Sequence, residues 1–342
     1  MTQVKQQEIH LANRPKGMPS KEDFNFVESL VPTPKKNEVL VRTLYLSVDP
    51  YMRGRMQDTK SYIAPFELNK VIVGGVVAEV VESQSDAFKQ GDVVVGNLNW
   101  AEYTIASEQE IRKIDPKLAP ISTHLGILGM PGLTAYFGLL DIGKPQAGET
   151  VVVSGAAGAV GSAVGQIAKI KGAKVVGIAG SDEKIDYLLN ELGFDAAVNY
   201  KKESFREDLK NAVPNGVDVY FDNVGGDVSD AVFTLLNRNA RIPLCGAISS
   251  YNAEGKDSGP RIQSAMIKTS AMMKGFTLGD YAANFSVGAV DLGKWLQQGK
   301  LKYEETIVEG FENIPEAFIG LFKGTNLGKQ LVRVANPEHA KL

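Results

Sequence analysis

The chain is 342 residues long yet holds a single cysteine and only three histidines, and each scarcity excludes a class of protein. Cys245 alone forms no intrachain disulfide and no multi-cysteine zinc site, so the chain reads as built for a reducing compartment. His10, His124 and His339 lie far apart in sequence and show none of the close spacings of zinc motifs, so no metal centre is expected. No run of about 18 uninterrupted apolar residues occurs, as a membrane-spanning helix requires. The opening segment, MTQVKQQEIHLANRPKG, has no apolar stretch behind basic residues, and the expectation is a cytoplasmic protein without a membrane partner. Excess charge of one sign is missing too. Lys and Arg number 37 against 40 Asp and Glu, a net charge of −3, which offers no general attraction to nucleic acid and excludes it as the main partner.

What is present is ordinary globular material, 44% hydrophobic and 23% charged, and the length exceeds what one core usually organises. The first third reads as a compact, barrel-like β domain. Glu38 to Val48, Val71 to Val81 and Asp92 to Gly96 are short runs rich in β-branched residues between Pro, Gly and Asn. Gly74-Gly75 inside the second run suggests a bulge or sharp bend. From Ser122 to Leu140 the spacing becomes helical, broken by Gly129, Pro131 and Gly132.

An alternation of apolar strands and helices follows. Strands are expected at 150–153, 174–178, 196–199, 217–221 and 241–245, with helices at 158–171, 182–192 and 231–236. Ser204-Phe205-Arg206-Glu207 reads as a capping box opening one more helix. Such βαβ units imply a parallel, doubly wound sheet. A last strand near 275–278, a helix at 285–298, Thr306 to Val308, a helix at 314–322 and a strand at 330–334 complete the chain; the tail would fit as extra elements on the first domain.

The sharpest local signal is Val151 to Gly161, a strand running into Gly155-Ala156-Ala157-Gly158-Ala159-Val160-Gly161 and then a helix, the context of a dinucleotide-binding turn. Gly158 would let the backbone approach a pyrophosphate, Gly161 would let the helix pack on the sheet, and the helix N-terminus supplies unpaired N–H groups. Ala156 stands where the fingerprint has its first glycine. An NAD site places Asp or Glu about 20 residues past the turn. Here Ala179-Gly180-Ser181 occupies that place, and Ser181 with Lys184 supplies a hydroxyl and an ammonium for a 2′-phosphate, which favours NADP(H).

The turn, together with Gln166-Ile167-Ala168-Lys169, resembles the zinc-independent quinone oxidoreductase branch of the medium-chain dehydrogenase/reductases. Within it, Val48-Asp49-Pro50-Tyr51-Met52-Arg53, Gly180-Ser181-Asp182-Glu183-Lys184, Tyr220-Phe221-Asp222-Asn223-Val224-Gly225-Gly226, Cys245-Gly246-Ala247-Ile248-Ser249 and Gly324-Thr325-Asn326-Leu327-Gly328-Lys329 resemble the NADP-dependent alkenal double bond reductases. The resemblance implies an α/β fold in which a Rossmann domain, residues 126–300, is inserted into a GroES-like β-barrel catalytic domain, residues 1–125 and 301–342. It implies that Ala157, Gly158, Ala159, Val160 and Gly161 hold NADP(H) at the turn, and that Ser181, Lys184 and Tyr200 hold its 2′-phosphate end. Asn223, Cys245, Gly246, Ala247, Ile248, Ser249, Phe276, Thr277 and Leu278 would line the nicotinamide half, and Asn326 would reach it from the tail. A homodimer is implied as well.

The reaction so implied is reduction of the C=C bond of a small apolar enal or enone, with enolate charge developing on the carbonyl oxygen. A tyrosine phenol suits the donor role, being neutral at pH 7 on an apolar ring. Tyr251, at the end of a parallel strand, and Tyr51, leaving a strand of the β domain, are the candidates, with the cofactor ribose hydroxyl as an alternative donor. Met18, Tyr62, Ile63, Met266, Met272 and Met273 read as core before substrate wall, His124 as a satisfied structural residue, and Asp49 with Arg53 as a local pair or cap. The rival readings are an NADPH quinone oxidoreductase and an NADPH-binding protein without turnover.

Overall fold

The structure, a computed structural model, describes residues 4–255 and 258–338, so His339 lies outside the described residues. The chain begins with β1 (Lys5–Leu11) and β2 (Phe24–Leu30), paired antiparallel from Lys5 opposite Leu30 to Leu11 opposite Phe24. Neither KQQEIHL nor FNFVESL carries the β-branched run that marks the strands expected above, because much of this hairpin faces solvent. Strands β3 (Glu38–Ser47), β4 (Val73–Ser83), β5 (Val93–Asn99), β6 (Tyr103–Ser107) and β7 (Ile111–Lys113) follow, with the single turn α1 (Met52–Arg55) between β3 and β4. They pair antiparallel, β4 between β3 and β5, with β6 on β3 and β7 on β5.

No bulge forms at Gly74-Gly75. Both residues pair in regular register with Leu98 and Asn97, and the register shifts lie between Leu40 and Val41 and between Thr43 and Tyr45 of β3. The glycines serve space instead: a Cβ on Gly74 would stand 2.6 Å from Met52 Cε and 2.9 Å from Trp100 Nε1. Around Trp100, Phe24 stacks at 6.2 Å and Phe318 of the tail lies edge-on at 6.3 Å.

A 3-10 turn, Ile121–Leu125, precedes α2 (Met130–Phe137), which has Pro131 in its first turn and runs into the π-helical segment Gly138–Gly143. Next come β8 (Thr150–Ser154), α3 (Ala159–Ile170), β9 (Lys174–Ala179), α4 (Asp182–Asp186), β10 (Ala196–Asn199), α5 (Phe205–Ala212), β11 (Val217–Phe221), α6 (Gly226–Phe233) and β12 (Leu236–Leu244). Then follow α7 (Gln263–Thr269), β13 (Met272–Gly275) and α8 (Phe285–Gln297). The strands form one sheet in the order β10-β9-β8-β11-β12-β13, each neighbouring pair parallel. This is the doubly wound sheet. Covered on both faces, β8 is buried at every residue, which is why it reads as an unbroken apolar run.

Three local expectations fail. The helix placed at 231–236 is α6, which starts at Gly226 and ends at Phe233, Leu236 already opening β12. The strand placed at 275–278 ends at Gly275; Thr277 instead caps a 3-10 run, Leu278–Asn284, its amide donating to the Asp280 carboxylate at 2.9 Å. The capping box at Ser204 does not form, because the Ser204 hydroxyl donates to the Asp208 carboxylate at 2.7 Å and its backbone, at φ −75° and ψ 1°, has left the extended capping conformation.

The tail gives β14 (Glu305–Glu309), α9 (Ile314–Lys323) and β15 (Lys329–Arg333). β15 pairs antiparallel with β3, completing the order β14-β15-β3-β4-β5-β7. The chain divides into two compact units, Met1–Leu125 with Glu305–Asn326 and Gln330–Leu342, and Gly126–Glu304 with Leu327–Lys329. Of the residues read as core, Met18, Tyr62 and Met272 are exposed. Among the described residues no helix is long and apolar enough to cross a membrane.

Candidate functional site

In the second unit the order of the sheet reverses between β8 and β11, and open α/β sheets bind ligands outside the carboxyl ends of the strands at such a point. The turn after β8 is built for this. Gly155 adopts φ +58°, the left-handed conformation that favours glycine, so the tight turn is made one residue before the place where the fingerprint has it. That explains Ala156: fully buried, its amide donates to Ile178 O at 3.0 Å, and its Cβ fills space beside Gly177.

Ala157 is buried, whereas Gly158, Ala159 and Val160 are partly open. Gly158 is the N-cap of α3 and makes no side-chain cap, leaving the first-turn amides without intrahelical acceptors. A Cβ on Gly158 would meet only Gly155 O, at 3.3 Å, but one on Gly161 would stand 2.3 Å from Gly155 O and 2.8 Å from Ala156 Cα. One glycine keeps the helix against the strand and the other keeps the approach clear. Sequence reasoning missed a further partner: Gly328, at φ +64°, donates its amide to Ala157 O at 2.8 Å.

At the end of β9, Ser181 caps α4 by accepting from the Lys184 amide at 3.3 Å, which leaves its hydroxyl proton available to a ligand. Lys184 is half-buried, and burial together with the neighbouring Lys201 lowers its pKa. The acid beside them is already engaged, Asp182 receiving Lys202 Nζ at 2.9 Å and Asn199 Nδ2 at 3.0 Å. Tyr200 lies over Gly180, where a Cβ would meet its ring at 2.8 Å. Two crowded ammonium groups, a spare hydroxyl and an aromatic face fit a 2′-phosphorylated ribose.

At the end of β11, Asn223 is held by its amide on Ser154 Oγ at 2.9 Å and its Nδ2 on Ser154 O at 2.7 Å. The loop after β12 is tied to the same strand end: the Cys245 and Gly246 amides donate to Asp222 O at 2.8 and 3.1 Å, and the Ser249 amide donates to Val224 O at 3.0 Å. Ala247 and the 3-10 turn Ile248–Ser250 carry the chain to Tyr251. The Tyr251 hydroxyl accepts from the Ala247 amide at 3.3 Å. The Cys245 thiol is pushed up to about 12 by burial and then by Asp222, which rules against a thiolate nucleophile. Phe276 packs on Phe221 with ring centroids 6.3 Å apart, ahead of Thr277 and Leu278.

The second unit thus gathers Ala157 to Gly161, Ser181, Lys184, Tyr200, Asn223 and the 245–251 loop along the carboxyl ends of its strands. Tyr51 and Asn326 belong to the first unit. Tyr51 is half-buried, and burial and then Asp49 raise its phenol pKa against the opposing positive charge of Arg55, keeping it protonated. Asp49 accepts from Ser47 Oγ at 2.6 Å, and Arg53 donates to the carbonyls of Pro15 and Gly17. His124 departs from expectation: both ring nitrogens are buried without a hydrogen-bond partner. Among the described residues no three His, Cys, Asp or Glu side chains gather as a metal site would need.

Residues 7–114 match the family described as the N-terminal domain of oxidoreductase, and residues 159–294 match the one described as zinc-binding dehydrogenase. The chain is 67% identical over 335 residues to YfmJ of Bacillus subtilis (strain 168), named an NADP-dependent oxidoreductase, covering 97% of this chain and 98% of that protein. It is 46% identical over 333 residues to the NADPH-dependent curcumin reductase of Escherichia coli (strain K12), covering 96% of each. The crystal structure of CurA in complex with NADPH from Vibrio vulnificus superposes with a TM-score of 0.93 at 47% identity, over 97% of this chain and 100% of that one. With a glycine turn, a doubly wound sheet and relatives matched over nearly its whole length, this chain belongs to the zinc-independent medium-chain dehydrogenase/reductases, among their NADP-dependent alkenal double bond reductases.

Proposed function

We propose that the chain reduces the C=C bond of α,β-unsaturated aldehydes and ketones with NADPH. The observation that carries the reading is the Ser181, Lys184, Lys201 and Tyr200 group at the end of β9, where an NAD site would hold a carboxylate. When bound, NADPH supplies a hydride to the substrate's β-carbon. The chain supplies the rest. Gly158 and the first turn of α3 receive the pyrophosphate on open amides. Asn223 and the 245–249 loop, anchored to the ends of β8 and β11, fix the nicotinamide end, with Phe276 to Leu278 beside them. Asn326 is carried over from the family as a further contact.

As negative charge develops on the substrate's carbonyl oxygen, Tyr251 donates from a phenol whose oxygen is already oriented by the Ala247 amide. Tyr51, kept protonated by burial, is the second phenol assigned to substrate. The α-carbon of the enolate then takes a proton from one of these two phenols, and solvent replaces that proton. The decisive assay is NADPH oxidation, with NADH as control, against alkenals, aryl enones and quinones. Enone-dependent oxidation at least tenfold faster with NADPH supports the reading; equal rates with NADH, or oxidation by quinones alone, overturns it. Tyr251→Phe is expected to lower kcat about 100-fold with little change in KM, the size of a lost transition-state donor. Unchanged kcat/KM in both Tyr251→Phe and Tyr51→Phe removes the tyrosines from the mechanism.

We assign a homodimer on the edge strand β13, which ends the parallel sheet and exposes Met272. Light scattering at micromolar concentration tests it.

A further inference from the structure

One buried carboxylate has no role in the reading so far. Asp222 is 2% exposed and directly follows β11 at the point where the sheet order reverses. It accepts from five donors: the Ser154 hydroxyl at 3.0 Å, the Tyr220 phenol at 2.9 Å and the Val224 and Gly225 amides at 2.9 and 3.0 Å, all on Oδ1, and the Ser229 hydroxyl at 2.6 Å on Oδ2. The buried carboxylate of Glu79, by contrast, is joined to a cation, the Arg42 guanidinium at 3.3 Å. Around Asp222 every one of these donors is a neutral hydroxyl or amide. Neutral dipoles solvate a charge without cancelling it, so its field extends into its surroundings.

That field reaches the loop assigned to the nicotinamide end. Cys245 and Gly246 hang by their amides from the Asp222 carbonyl, and Asn223 is the next residue. Asp222 is also the second cause of the upward shift of the Cys245 thiol.

Resting on the NADPH reading above, we infer that the Asp222 carboxylate is an electrostatic bias in the cofactor site, favouring the oxidised nicotinamide, whose ring carries a positive charge, over the neutral reduced ring. Hydride departure creates that positive charge, so the same field lowers the energy of the transferring state relative to bound NADPH. Asp222 acts here through space, and its five donors are what keep a bare charge tolerable in the interior.

Charge and scaffold roles separate in Asp222→Asn. The amide oxygen keeps the acceptor position of Oδ1, and the amide nitrogen can donate to Ser229 Oγ, which turns its own proton to Tyr220, 2.8 Å away. The purified protein is titrated with NADP+ and with NADPH, following quenching of tryptophan fluorescence, with thermal unfolding as the check on folding. The expected result is a rise in Kd for NADP+ relative to NADPH on the order of tenfold, the size of one unit charge acting over several ångströms of protein interior. If both constants move by the same factor, Asp222 is a scaffold and the inference falls. Ser229→Ala keeps the test open should the Asn variant not fold: it leaves the charge with fewer donors and shifts the ratio the opposite way, toward NADP+, and an unmoved ratio overturns the inference. Wild-type protein that binds neither nucleotide overturns the NADPH reading first; wild type that binds both, with variants that move both alike, overturns this inference alone.

Discussion

Gly74 and Gly75 in β4 and Gly155 to Gly161 after β8 look alike in sequence, a cluster of glycine beside an apolar run, yet different neighbours demand them. A Cβ on Gly74 would meet side-chain ends, Met52 Cε and Trp100 Nε1, whereas one on Gly161 would meet backbone at 2.3 Å. Side chains can turn aside and a hydrogen-bonded turn cannot. Gly158 is a third case, with open space above it and a single neighbour at 3.3 Å. Glycine therefore marks a ligand only where space is left open, and marks packing where it is filled.

The largest effect is expected at Gly161→Ala. Its Cβ has to displace the turn, at about 3 kcal/mol of stability, and NADPH binding is lost with the turn. Chemical denaturation and a nucleotide titration read both, and a stable variant with normal affinity would erase the distinction drawn here. Gly74→Ala is expected to lose about 2 kcal/mol, since Met52 can adopt another rotamer, while the affinity for NADPH stays unchanged. An altered affinity there would mean that the two glycine clusters are not independent.

A third effect sets the first unit apart by pH. Burial and then Arg112 hold the His124 imidazole down at about 4, below the 6.5 of an unperturbed histidine. The unfolded chain therefore takes up a proton that the folded chain refuses, and stability falls as pH drops from about 6.5 toward about 4. Allowing for partial exposure, the loss between pH 7 and pH 5 is about 1 kcal/mol. His124→Leu removes the proton uptake and two buried nitrogens without partners. Denaturation at the two pH values should show the variant losing less stability on acidification, and identical losses would sink the assignment. The smallest change in stability belongs to Gly158→Ala, a few tenths of a kcal/mol, accompanied by roughly tenfold weaker NADPH binding as the methyl enters the anion's path. That split between stability and affinity is what separates it from Gly161.

Much of the architecture is legible in the residue order. β10 and β11 are predicted residue for residue, and β8 and β9 nearly so, because strands buried on both faces must be apolar throughout and helices between them must show a 3.6-residue period. The hairpin β1–β2 is not legible, since an edge exposed to water needs no such run. Of the candidate site, the glycine turn and the absence of a carboxylate after β9 can be read directly, because both depend on neighbours within a few residues. Asp222 cannot be singled out: it is one of 40 acidic residues, and nothing local says that Ser154, some 70 positions earlier, donates to it. Nor does sequence tell that Gly328 returns to bond Ala157.

The sequence by itself determined the fold class, the family and the chemistry of the nucleotide-binding turn, for these rest on local period, glycine spacing and residue type. Only the tertiary structure decided which glycines face backbone and which face open space, left His124 without a partner, and surrounded Asp222 with neutral donors. Each of these depends on atoms brought together from distant parts of the chain, and burial makes their energies large because no water is present to substitute for a missing partner.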